Sequence, residues 1–399
     1  MYSYQKMRGL ALRVFLLLTL VVVTSVRAQD TRSDDSIAKK IRIRGYIQNM
    51  PTLQYVRGVD DISFNNTLHN RLNMEYWFSP NLHAAVGIRN RLLSGDMIKS
   101  LSPLIVEMLK ADNGLLDASF VPLSGDNWLW HLKSDRFYID WKSNNWQVRF
   151  GRQRINWGIN MVSNPNDLFN TYSFFDIDYP ERPGADALRI QYFTGDLSRF
   201  DFAINPHRNL NNSTIALLYA FNRNAYDYQV IGAYYRDRIA LGAGWAGSIG
   251  KSGFKGEFTF FNDLNKMNSF ENVDLVASVS FDYIFPSTLY VLLEALYNGG
   301  YQQREQHIFM MSEPLRADNI FLSKYAITGS AMYPISPILS ASLAGSYMPD
   351  IKAFYLSPNF TYSAATNLDV SLLTQYFYLT QQTGTFESAA FFMQIKYSF

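Results

Sequence analysis

The last nine residues constrain this chain more than any other feature. Phe391, Met393, Ile395, Tyr397 and Phe399 alternate with Phe392, Gln394, Lys396 and Ser398. A period of two places the first set on one face of a strand and the second set on the other. A strand with one face for hydrocarbon and one for a polar interior belongs in a transmembrane β-barrel, where closure pairs every backbone amide although the outer surface meets lipid.

The other end of the chain supplies an address. Lys6, Arg8 and Arg13 precede an apolar run from Val14 to Val23, and Val26-Arg27-Ala28 offers a small-residue cleavage site before Gln29. This reads as a secretory signal peptide over 1–28, followed by a periplasmic segment over 29–40 and a barrel over 41–399. The run is shorter than the roughly 20 apolar residues that a spanning helix needs. The chain has no cysteine, which excludes disulfides, thiolate nucleophiles, cysteine metal sites and a lipid carried on an N-terminal cysteine.

Composition agrees with a barrel. Hydrophobic residues make up 48% of the 399, yet mean hydropathy is only −0.12, so apolar and polar residues are interleaved and not segregated into helix-length runs. The 26 Tyr and 29 Phe suit aromatic girdles at two membrane interfaces. A formal net charge of +2 is too small to imply nucleic acid.

Alternation recurs along the whole chain, near 41–50, 67–78, 81–91, 133–142, 145–154, 186–194, 199–205, 213–221, 226–236, 238–248, 253–261, 272–284, 288–298, 323–333, 338–348, 352–364, 367–380 and 386–399. The expected fold is therefore all-β, an antiparallel transmembrane barrel of about 18 strands. Counting back from the C-terminus, short turns such as Ser79-Pro80-Asn81, Ser143-Asn144-Asn145 and Phe285-Pro286-Ser287-Thr288 fall on the periplasmic side. The long gaps 92–132, 155–185 and 300–321 fall outside.

Parity puts Arg42, Arg44, Arg71, Glu75, Arg89, Arg91, Arg136, Asp140, Arg149 and Arg189 on the inner face. A charged side chain in the lipid belt costs about 2–4 kcal/mol near the midplane, so the inward placement is also the energetic one. Guanidinium groups stay charged and hold carboxylate or phosphate at two points. Such a wall can attract anions along a track; the same arginines can also pair with Glu75, Asp140 and loop acids to keep the wall rigid. Both readings are open from the sequence.

Arg149-Phe150-Gly151-Arg152-Gln153-Arg154-Ile155-Asn156-Trp157-Gly158 breaks the pattern. Alternation turns Trp146, Val148 and Phe150 to lipid and would send Arg152 and Arg154 there too. A bulge at Gly151 that flips the later residues inward is the expected remedy, with snorkelling to headgroups as the alternative. The run GRQ-x-x-x-WG resembles the strand-to-loop motif of porin-like families related to alginate-export channels, and the terminal Phe resembles the C-terminal signal of Gram-negative outer-membrane proteins. This resemblance implies an outer-membrane barrel that passes or binds small anionic or hydrophobic solutes, with Arg152, Gln153 and Trp157 near a constriction.

After that motif, Asn164-Pro165-Asn166-Asp167 and Tyr179-Pro180-Glu181-Arg182-Pro183-Gly184 are turn-forming clusters around Phe169, Tyr172, Phe174, Phe175, Asp176 and Asp178. So many aromatics require burial. The segment 159–185 is expected to fold into or across the mouth, setting Asp167, Asp176, Asp178 and Glu181 against the arginines. The alternatives are a surface loop packed on its neighbours, or one that binds calcium through Asp176 and Asp178, for which Asp-x-Asp alone is a weak signal; no metal or cofactor is expected. Ser102-Pro103 through Asn113-Gly114 reads as a short amphipathic helix that either plugs the lumen or lies at the outer surface.

Enzymatic chemistry finds no support. The five histidines, His69, His83, His131, His207 and His307, neighbour neither a GxSxG elbow nor an HExxH pair. The expected function is passive diffusion of small solutes through an outer-membrane channel with a preference for anions, its outer face meeting membrane lipid and lipopolysaccharide. The alternative is a plugged barrel that binds surface polysaccharide and assists capsule assembly.

Overall fold

The computed structural model describes residues 40–112, 114–171, 181–264, 273–301, 315–381 and 384–399. The segments expected to be a signal peptide and a periplasmic lead lie outside the described residues, except Lys40. The chain runs as β1 (Ile41–Val56), β2 (Ser63–Ser79), β3 (Leu82–Gly95), helix α1 (Asp96–Lys110), β4 (Ser119–Ser124), β5 (Trp128–Ser143), β6 (Trp146–Gln153), β7 (Ala185–Gly195), β8 (Ser198–Asn205) and β9 (Thr214–Arg223). It continues as β10 (Tyr226–Tyr235), β11 (Arg238–Ile249), β12 (Ser252–Asp263), β13 (Val273–Ile284), β14 (Tyr290–Asn298), β15 (Tyr325–Ser336), β16 (Leu339–Met348), β17 (Ala353–Ala365), β18 (Leu368–Gln381) and β19 (Gly384–Ser398).

Eighteen of these strands form a closed antiparallel barrel, as the alternation predicts. β4 is the extra one, pairing with the upper part of β5 where β6 has left the sheet. The seam joins β1 to β19, from Tyr46 opposite Ser398 to Val56 opposite Ser388. The terminal Phe399 locks it: its amide donates to the Gly45 carbonyl at 3.0 Å, and its carbonyl accepts from the Gly45 amide at 2.9 Å. Its ring lies over Gly45, where an added Cβ would come within 2.6 Å of the ring.

The end of the barrel that holds the termini has tight turns. Asn224 and Ala225 both take positive φ (55° and 63°), the pair of left-handed residues that a two-residue hairpin needs. On the outer wall Phe391, Phe137 and Phe150 are 55, 60 and 67% exposed, the face offered to lipid. Gln48, Arg71 and Glu257, on the opposite parity, are 1% exposed.

Two expectations are corrected. No residue is inserted at Gly151, since the register runs through it unshifted (Tyr138 opposite Gly151, Phe137 opposite Arg152, Arg152 opposite Asp186). The bulge is in β5 instead: Arg136 pairs with Gly87 and Ser134 with Ile88, leaving Asp135 over. That extra residue lets Asp135 and Arg136 both turn inward and spares lipid a carboxylate, which strict alternation would have put outside.

The helix begins at Asp96, six residues earlier than its Ser-Pro signal suggests, and breaks at Leu101, just before Pro103. It lies against the inner side of the wall. Asn65, on the inward parity of β2, accepts the Met97 amide at 2.9 Å, and Ser119, beside the inward His131, donates to the Leu109 carbonyl. The connection expected outside over 300–321 also turns in at its described end: Ala317, Ile320 and Phe321 are buried, and the Tyr235 hydroxyl accepts the Ala317 amide.

Candidate functional site: a loop folded into the lumen

β6 ends where the loop begins, and the GRQ-x-x-x-WG run is its root. Gly151 holds φ at +116°, and a Cβ there would stand 2.3 Å from the Phe137 carbonyl oxygen. Only glycine takes that conformation without strain. The backbone turn, and not an inserted residue, is what ends the alternation: Arg152 and Gln153 are successive and both buried. Arg152 fills the gap that β6 leaves, donating to Asp186 (2.6 and 2.8 Å), to Asp112 (2.7 Å) and to the carbonyls of Leu116 and Ser134. It staples the wall instead of lining the pore. Gln153 is spent likewise on the carbonyls of Arg149 and Ala187. Trp157 is 2% exposed, packs edge-on against Phe169 at 5.1 Å and donates its indole N–H to Asp201.

From this root the loop runs along the inner wall of the barrel. The Glu257 carboxylate on β12 accepts the amides of Ile159 (3.2 Å), Asn160 (3.0 Å) and Asn166 (3.3 Å). Glu294 on β14 accepts those of Ser163 (2.8 Å) and Val162 (3.4 Å). Five consecutive-turn amides with no strand partner are thus satisfied by two wall carboxylates, as buried backbone donors must be. Ser278 and Ser280 hold Asn160 from β13. A cavity of about 10 Å³, room for a single water, separates Val162, Asn164 and Asp167 from Ile320 and Phe321, so the two inserted segments are close-packed.

The loop's far end returns to the arginine side. Glu181 pairs with Arg71, which also bonds Asp135 at 2.7 Å, and the Arg182 carbonyl accepts from Arg136 at 2.8 Å. Within the loop Arg182 meets Asp167 at 3.3 Å. Burial pushes the Asp167 carboxyl up to about 6, against the lowering effect of Arg182 and Arg154. Asp176 and Asp178 lie outside the described residues.

The arginines differ in burial and in partners. Arg71, Arg89 and Arg91 are at most 9% exposed; Arg89 bonds His69 and Arg91 bonds His131. Arg149 pairs with Asp140 and lies over the Tyr138 ring, and Arg189 is bidentate on Asp201 (2.9 and 2.6 Å). Arg42 meets Glu75 at 3.4 Å with half its side chain exposed. Arg44 is exposed and has no side-chain partner among the described residues. The carboxylates that organise the site, Asp135, Asp201, Glu257 and Glu294, were not singled out by sequence. Parity marks Asp201, Glu257 and Glu294 as inward, which was the available signal.

No family model and no curated protein matches the chain. Solved structures do. The outer membrane protein OprD of Pseudomonas aeruginosa is 9% identical with a TM-score of 0.55, over 90% of this chain and 93% of that one. OccK8 (OprE) of the same organism is 9% identical with a TM-score of 0.56, over 90 and 98%. OccAB1 of Acinetobacter baumannii is 10% identical with a TM-score of 0.53, over 92 and 100%. Likeness at this identity is likeness of architecture: the chain has the eighteen-stranded outer-membrane porin fold that these proteins share.

Proposed function

We propose that the chain is an outer-membrane channel through which small solutes diffuse passively, with a preference for anions. The observation that carries this reading is the loop 154–184, whose described residues fold inside an otherwise closed barrel and whose ends rest on both an acidic and a basic part of the wall. A loop so placed narrows a lumen and sets the charge that a solute meets, as side-chain rings do in other pores. The cations open to solute are those toward the end that carries the termini, Arg42, Arg44 and Arg149, since the deeper Arg71, Arg89, Arg91 and Arg152 are buried and Arg189 is held by Asp201. Arg136 holds the loop by the Arg182 carbonyl, and Arg154, itself in the loop, adds its charge near Asp167.

The motif that resembles alginate-export channels is the root of this loop, so the likeness supports a shared way of launching a constriction and is not extended to the solute. The test is single-channel conductance of refolded protein in a planar bilayer, with reversal potential under a salt gradient. Discrete steps with anion preference are expected. A folded barrel that stays silent would refute the channel and favour the plugged barrel that binds polysaccharide.

A further inference from the structure

On the lipid-facing side, at the end that carries the termini, unequal strand lengths cut a notch. β9 runs to Arg223, pairing there with Tyr226, whereas on its other edge the ladder with β8 stops at Ala220 opposite Arg199. Phe221, Asn222 and Arg223 therefore extend past the Gly195–Ser198 turn, paired with β10 on one edge and with no strand on the other. The groove that results holds about 650 Å³ and is lined by Asp196, Leu197, Ser198, Tyr219, Phe221 and Arg223, with Asn222 at its edge. Tyr219, Phe221 and Arg223 share the parity of Ile215 and Leu217, which are 41 and 46% exposed on the lipid face.

Its floor is aromatic. Phe200 stacks on Tyr219 at 4.6 Å, Tyr219 on Phe221 at 5.4 Å and Phe221 on Tyr228 at 5.4 Å. Its two lips are opposite in charge. Arg223 and Asp196 are exposed, neither has a side-chain partner among the described residues, and they form no ion pair with one another. An unpaired cation and an unpaired anion flanking an apolar floor complement a zwitterion with an apolar tail. Guanidinium favours phosphate, and carboxylate favours ammonium. The end that carries short turns and termini is the periplasmic one in this fold, so the groove opens on the inner leaflet of the membrane.

We propose that this groove binds one zwitterionic glycerophospholipid of the phosphoethanolamine type, its phosphate on Arg223, its ammonium on Asp196 and an acyl chain along the Phe200-Tyr219-Phe221 stack. This site is independent of the lumen and of whether the channel conducts. It is tested by native mass spectrometry of the delipidated full-length protein titrated with phosphatidylethanolamine or phosphatidylglycerol, folding being checked by heat-modifiable gel migration.

A single saturating adduct that favours phosphatidylethanolamine is expected. Arg223→Ala should weaken it about tenfold, the scale of one charge-assisted bond, while Asp196→Asn should abolish the preference between the two lipids. Lys251→Ala, which removes a cation from another short turn at the same end, should change nothing. Equal or greater retention of phosphatidylglycerol by the unaltered protein, or equal weakening by Arg223→Ala and Lys251→Ala, would overturn the proposal in favour of unspecific annular lipid.

Discussion

Glu257 and Glu294 should govern the constriction although neither faces the solute. Glu257 accepts three loop amides and Glu294 two. A buried amide left without its acceptor costs about 1–3 kcal/mol. In Glu257→Gln one oxygen survives and can keep the Ile159 and Asn160 bonds, but the new amide group faces the Asn166 donor. The loss is about one bond, about 1–3 kcal/mol, which raises the undocked fraction of the loop roughly five- to a hundredfold. Glu257→Leu removes all three acceptors. The three amides would remain buried and unpaired, and the summed cost has an upper bound of roughly 9 kcal/mol. The loop should then leave the wall while the strand ladders hold. Single-channel records of Glu257→Leu with Glu294→Leu should show higher mean conductance and strong flicker, with Glu257→Gln between them and the unaltered protein. Conductance and noise equal to the unaltered channel in a folded double variant would refute the latch.

Other outcomes follow from the same geometry. Arg44→Glu, at an exposed side chain without a partner, should leave folding intact and shift the reversal potential toward cations; an unchanged potential in an open pore would remove the electrostatic part of the proposed function. Asp167, its carboxyl near 6 by burial, protonates as pH falls from 7 to 5 and removes a negative charge beside Arg182, so anion preference should rise over that window and Asp167→Asn should show no such step. Because this pKa lies above the unfolded value of 3.8, the native state binds the extra proton: the stabilisation from Asp167 is complete below about pH 4 and is lost as pH rises through about 6. Gly151→Ala forces a side chain into φ +116° against the Phe137 carbonyl and should cost about 1–3 kcal/mol, read as a lower urea midpoint for the folded barrel.

Why the barrel was legible while the loop's seat was not has a physical answer. A strand that separates lipid from a polar interior must declare its register in its own sequence, because a slip of one residue exchanges its faces. The last strand from Phe391 onward, and the outward Phe254, Phe258 and Phe260, do this without reference to any neighbour. Likewise the aromatic content of 159–185 demands burial, and among the loop's described residues Phe169 packs against the buried cluster. What no local pattern contains is the partner. Glu257 reads only as an inward acid, and its bonds reach residues 91 to 98 positions away. The misplaced bulge has the same origin: Gly151 announces a backbone irregularity, whereas Asp135 becomes an inserted residue only because Arg71, 64 positions earlier, awaits it.

Those long-range contacts also explain how one wall carries two apparently competing roles. The sequence leaves open whether the arginines attract a solute or brace the barrel, and the structure separates the alternatives by depth. Where the loop enters and returns, Arg71 and Arg152 are each shared between two acids, a geometry that fixes the loop and leaves little charge unspent. Toward the chain termini the wall is not covered by the described loop residues, and Arg42, Arg44 and Arg149 keep from a fifth to half or more of their side chains exposed. Bracing therefore belongs to the buried arginines and attraction to the open ones. It follows that substitutions at Arg71 or Arg152 should be read as lesions of folding, and only those at the open end as probes of selectivity.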